Sequence, residues 1–350
     1  MQLIEVSRTV MKEVLDLQEG EEVLIITNPG EVLGISLSLF HAAKELRAKP
    51  TVMIQDVKET LDYAERSVLG ALNSEPDVVI SISEKKFGKD PYGLNIGYIG
   101  RDNKKYSHLF EKLLWGDKRI RAFWSPGIDV YMYLRAVPID YARLRVEASV
   151  LAQILDRGEE VHITSEKGTD LWINIKGRKA LKDDGDFRKP GRGGNIPAGE
   201  VFISPTLRKS EGTIVFDGTL GLGGKSILPE KPVRVEVEEG FVRRIKGGKD
   251  AEKLENAIRD AEKRALEMGK EEFARNSWNL GELGIGLNPK AIMSGKLLED
   301  EKLRNTVHIA IGANYDNDAP ALNHFDCLIM NPTVEVDEER IMEKGRFLIF

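Results

Sequence analysis

Four short apolar runs, EVLIIT (22–27), PTVMIQ (50–55), DVVISI (77–82) and RIRAFW (119–124), are spread through the first 150 residues, separated by stretches with helical spacing. An apolar run this short, without polar alternation, reads as a strand buried on both faces. Strands that alternate with helices pair in parallel, because each crossover returns along a helix. Helices are expected over 31–48, 58–73, 104–116 and 138–154. The fold class is therefore α/β, opening with a Rossmann-like parallel-sheet domain over residues 1–154. A nicotinamide or flavin site is not expected, because the turn after the first run is NPGEVLG. Its Gly30 and Gly34 lack the spacing that lets backbone approach a pyrophosphate.

From residue 155 the pattern changes to short alternating strands and turns, which predicts a mixed, strand-rich α+β domain over 155–350. EVHITSEKGTDLWINIKG (160–177) reads as a hairpin turning at Gly168, and GTIVFDGTL and VRVEVEEGFVRRIKGG continue the theme. Residues 249–273 read as one helix with Leu254, Ile258, Ala261, Ala265 and Met268 along its apolar stripe. TVHIAIG, HFDCLIM, TVEVD and RFLIF then return to strands. GTLGLGGKS (218–226) resembles a phosphate loop only superficially: Thr219 stands where the motif needs glycine, and prolines follow where it needs a helix. It reads as a glycine-rich hairpin connection.

Charge and cysteine content narrow the function classes. A net charge of −6 argues against a nucleic-acid binder, which needs clustered Lys and Arg. No apolar segment is long enough to span a bilayer, and the N-terminal stretch lacks a signal-peptide pattern, so a cytoplasmic location is expected. The lone Cys327, in an apolar CLIM run, reads as a buried thiol rather than a nucleophile. Abundant Lys and Glu beside only four Gln point toward a thermophilic host.

The candidate chemistry lies in the second half. In NHFDC, strand alternation puts His324 and Asp326 on one face, with Phe325 and Cys327 on the other. His308 in TVHIAIG faces away from Val307 and Ile309. Glu282 lies in the glycine-rich NLGELGIGLNP, where small residues let backbone approach a site, and Glu200 opens the strand after GGNIPAG. Imidazole nitrogen and carboxylate oxygen together suit zinc, cobalt, manganese or iron. Three carboxylates and two histidines suffice for two divalent ions. His41, His108 and His162 read as ordinary surface histidines.

NIPAGEVFISP, GELGIGLNP, HIAIGANY and NHFDCLIMNPTVEVD together resemble the aminopeptidase T family of thermophilic metal-dependent aminopeptidases, in order and context, over roughly 155–340. That resemblance implies that Glu200, Glu282, His308, Tyr315, His324 and Asp326 surround two divalent ions, zinc, cobalt or manganese. It also implies peptide substrates and a homodimer. This chain departs in being shorter, with eight residues between Tyr315 and His324. The 2,5-dihydroxypyridine dioxygenases share the overall pattern. Resemblance to them implies one iron held by two histidines and one carboxylate, no need of Glu200, and a histidine where this chain has Glu282. Retention of both glutamates favours the two-metal hydrolase, in which a metal-bridged water attacks an N-terminal peptide bond. Tyr315 would then ligate weakly or donate to the oxyanion, Glu282 or Glu211 would act as general base, and Asp217 and Asn331 would support the ligands.

Overall fold

The computed structural model describes residues 2–59 and 62–350 and divides into two units, Met1–Arg145 with Asp183–Ala198, and Val146–Lys182 with Gly199–Phe350. The first unit is built on a five-stranded parallel sheet ordered Gly193–Asn195, Arg121–Pro126, Val78–Ser83, Glu22–Thr27, Lys49–Ile54. All six residues of Val78–Ser83 are buried, as a central parallel strand requires, whereas Lys49–Ile54 is a half-exposed edge. A single cut after residue 154 does not describe the division. The Gly193–Asn195 strand pairs with Arg121–Pro126, which places residues 183–198 with the first unit.

Helix boundaries moved where local chemistry overrode periodicity. The helix expected over 31–48 runs Glu31–Glu45 and ends before Arg47, which takes a left-handed φ of 60°. Of the helix expected over 58–73, residues 60 and 61 lie outside the described residues, and the helical part is Arg66–Leu72. Residues 104–116 hold a two-residue strand and then a short helix that widens to π geometry over Lys112–Gly116. The last runs Tyr141–Arg157. No helix among the described residues is long and apolar enough to cross a membrane.

The second unit carries an eight-stranded antiparallel sheet, which includes the hairpin Glu160–Thr164 to Asp170–Asn174 turning at Gly168, and a second sheet that holds the candidate ligands. The GTLGLGGKS stretch is a hairpin of Leu220–Gly221 with Ser226–Ile227. The long helix stops at Glu267 rather than 273. Gly269 (φ 69°) donates to Leu266 O and Lys270 donates to Ala265 O, a pair of bonds that caps the helix and starts a new one at Glu271. Met268, expected on the stripe, is exposed at this cap, while Leu254, Ile258, Ala261 and Ala265 are buried.

Ile258 is fully buried. Truncating it to alanine leaves a cavity beneath the helix, so Ile258→Ala is expected to cost about 2–5 kcal/mol in urea unfolding. A loss below about 0.5 kcal/mol would show that the helix does not pack through this stripe.

Candidate metal centre

Four adjacent antiparallel strands, Glu200–Ile203, Leu280–Gly286, Thr306–Gly312 and His324–Met330, carry the expected ligands. The register pairs Glu200 with Gly286, His308 with Gly284, Glu282 and Asp326 each with Ala310, and His324 with Gly312. Directly opposed residues share a face. Glu200, Glu282, His308, His324 and Asp326 therefore project from one side, each with a glycine or alanine opposite it on a neighbouring strand, and His308 has Leu328 opposite it on the other. Val201, Leu283, Ile285, Val307, Ile309 and Cys327 fill the other side and are buried.

Two glycines make this face possible. Leu280 opposes Ile311 on the apolar side, and by simple alternation Glu282 would follow it there. A bulge between Leu280 and Glu282 turns Glu282 to the ligand side. The extra residue is Gly281, where a Cβ would stand 2.1 Å from the Ala313 carbonyl oxygen. Gly284 lies under the His308 ring, and a Cβ there would sit 1.8 Å from Nε2.

The side chains converge. Glu282 lies between the imidazoles, with Oε1 3.0 Å from His308 Nε2 and Oε2 3.2 Å from His324 Nε2. His324 Nε2 is also 3.2 Å from Asp326 Oδ1, and His308 Nε2 is 3.6 Å from Glu200 Oε2. One donor atom each from Glu282, His308 and Asp326 falls within 4.8 Å of the others. His324 Nδ1 donates to Ala313 O at 2.8 Å, which fixes the tautomer whose Nε2 lone pair faces the carboxylates. Glu282 Oε2 and Asp326 Oδ1 are shielded from solvent and form no hydrogen bond in bonding geometry with a described residue. Buried carboxylate oxygens with unspent lone pairs, converging with two imidazoles, fit a divalent metal ion.

Without an ion, the electrostatics are those of an acid cluster held by protons. Burial opposes a charge on His308, but its bond to Glu282 and the charges of Glu200, Glu282 and Asp326 push it up to about 9. His324 is raised well above its ordinary value, against burial, chiefly by Asp326. Burial would raise Asp326 and Glu282, yet the imidazoles bring both below the usual carboxylate range.

Tyr315 is half exposed on the loop between the last two strands, its ring edge-on to His324 at 5.3 Å and 4.9 Å from Phe202. That loop is pinned by Arg178, 2.9 Å from Asp318, and by Asn323, which donates to Ser277 O and Ile311 O. Glu211 is not brought to the cluster. It lies exposed on the eight-stranded sheet opposite Trp172, so it is not positioned as a general base there. Asp217 accepts the Met330 N–H and Asn331 accepts from Asn305, so both secure the end of a ligand strand. His108 caps a short helix and His162 stacks on Trp172. Cys327 is buried, and burial pushes its thiol up. Lys302, absent from the sequence expectations, is fully buried with its ammonium on Glu200 and 2.9 Å from Glu301. It sits in LLEDEKL, a charged run whose pattern suggests the surface.

Fold and site together define a two-unit α/β protein with a carboxylate–histidine centre on one sheet face. The chain belongs to the family described as NicX: 2,5-dihydroxypyridine 5,6-dioxygenase, whose model matches residues 128–349. A curated relative, the 2,5-dihydroxypyridine 5,6-dioxygenase of Pseudomonas putida KT2440, is 27% identical over 167 residues, covering 47% of this chain and 44% of the relative. The match thus spans under half of that relative's length. Among solved structures, the 2,5-dihydroxypyridine dioxygenase from Pseudomonas putida KT2440 superposes with a TM-score of 0.72 at 19% identity, over 99% of this chain and 97% of that one. Wild-type AmpT from Thermus thermophilus gives 0.68 at 20% identity, over 99% and 98%. At such identities both show the shared α/β fold.

These findings overturn the hydrolytic expectation. The resemblance to aminopeptidase T holds for the fold, while the family match and the curated relative are dioxygenases, not metal-dependent exopeptidases. The two-ion expectation counted Glu200 and Glu282 among its ligands; Glu200 is engaged by Lys302, and the converging triad is Glu282, His308 and Asp326.

Two outcomes follow from the geometry. Because ligation needs neutral imidazole, metal binding at pH 7 is expected to release at least one proton, and affinity should fall as pH drops, by about tenfold per pH unit for each proton released. Calorimetry in buffers of different ionisation heat reads the count; no release would contradict protonated imidazoles in the metal-free site. Gly284→Ala should displace the His308 ring and weaken metal binding by more than about tenfold with the circular dichroism spectrum retained. Unchanged affinity would contradict the placement of that ring.

Proposed function

We propose that this chain is a mononuclear iron dioxygenase that opens a hydroxylated pyridine ring of the 2,5-dihydroxypyridine kind. The observation that carries the reading is the family match over residues 128–349, a span that includes every converging donor. The donor chemistry supports it: two imidazoles with carboxylates are the ligand types of non-haem ferrous oxygenases.

His308 and His324 would hold the ion through Nε2, with Asp326 and Glu282 offering carboxylate oxygens. A ferrous ion there would supply the electron exchange that lets molecular oxygen react with a closed-shell aromatic ring. Every donor rises from the same sheet face, so His308, His324, Glu282 and Asp326 would hold the ion from that face. The Ala313 carbonyl holds the His324 imidazole in its ligating tautomer. Phe202 and Tyr315 flank this face with flat rings that suit a planar substrate. The Tyr315 hydroxyl can donate to a substrate oxygen, and Arg178 with Asp318 keeps its loop in place.

The test is oxygen uptake by metal-free protein reconstituted anaerobically with ferrous iron, then given 2,5-dihydroxypyridine in air. Equimolar consumption of oxygen and ring is expected, with none above background in His324→Ala or Asp326→Ala. Iron-loaded, folded protein that consumes no oxygen with a panel of hydroxylated pyridines would refute the assignment.

A further inference from the structure

We propose that the buried ammonium of Lys302 is a built-in cation that takes up Glu200 and limits the centre to one divalent ion, so that Glu200 is a positioning carboxylate rather than a ligand. The inference rests on the single-ion reading above and assigns the residue responsible for it.

Lys302 is rigidly placed. Its N–H donates to Glu299 O at 3.0 Å and its carbonyl accepts from Asn288 at 2.8 Å, which fixes the backbone between the Leu297–Asp300 helix and the Thr306–Gly312 strand. Its side chain has no solvent exposure, and its ammonium bonds Glu200 Oε1. Glu301, the second carboxylate on that ammonium, keeps 14% of its side chain exposed, so water shares its charge. The other oxygen of Glu200 lies 3.6 Å from His308 Nε2, too long for a hydrogen bond.

Charge balance gives the consequence. The ligand face carries three carboxylates, Glu200, Glu282 and Asp326, all buried. Lys302 offsets one, and a single divalent ion offsets the other two with both imidazoles neutral. A second divalent ion would leave two positive charges uncompensated in a buried site, and it would have to displace an ammonium already seated on Glu200.

The test titrates the metal-free full chain with Mn²⁺ alone, counting bound ions by elemental analysis and reading their coupling by electron paramagnetic resonance. Wild type and Lys302→Arg should bind one ion with an isolated-ion spectrum, and Lys302→Met two ions with a spin-coupled spectrum. Folded Lys302→Met that still binds one ion would overturn the proposal and leave the single-ion reading standing. Two ions in wild type would instead overturn that reading. If Lys302→Met does not fold, the neutral pair Lys302→Met/Glu200→Gln decides. One ion held within about tenfold of wild-type affinity is the expected result, and a larger loss would make Glu200 a ligand.

Discussion

The arrangement depends on the position of Glu282, one carboxylate oxygen facing each of two imidazoles, with Asp326 against the second. Buried carboxylates this close cannot all stay ionised without cations beside them. The raised imidazoles and lowered acids of the metal-free site express that demand. Protons meet it at a cost that a divalent ion would remove, which is why residues that form a salt-bridge cluster also suit a metal ion.

The rest of the second unit serves this cluster. Gly281 forms the bulge that turns Glu282 to the ligand face, Gly284 clears the space that the His308 ring fills, and Ala310 and Gly312 keep the floor low. On the opposite face, the buried apolar residues hold the four strands in register, and a slip by one residue would send every ligand into the core. Lys302 binds Glu200 from a segment outside the sheet, and Asp217 anchors Met330 at the end of the last ligand strand.

Much of this was legible in the sequence because it follows from alternation. The pairing of His324 with Asp326, and the opposition of His308 to Val307 and Ile309, needed only the period of a strand, as did the parallel sheet of the first unit. What was not legible depends on contacts between distant segments. Gly193–Asn195 is too short to signal a strand, and it joins the first unit by pairing with Arg121–Pro126. Glu211 looked available because spacing does not say which of two sheets a strand joins. Lys302 was hidden because LLEDEKL reads as solvated, although Glu299, Asp300 and Lys302 are all fully buried. Without that ammonium in view, Glu200 reads as one more free carboxylate, which sat easily with the two ions implied by the aminopeptidase T resemblance.

The functional reading turns on the proposal of a single iron on this sheet face. Anomalous diffraction at the iron edge from crystals of the ferrous-loaded protein tests it most directly. A single peak among His308, His324, Asp326 and Glu282 is expected, with none beside Glu200 and Lys302. A second peak at Glu200, or a peak away from the two histidines, would contradict it.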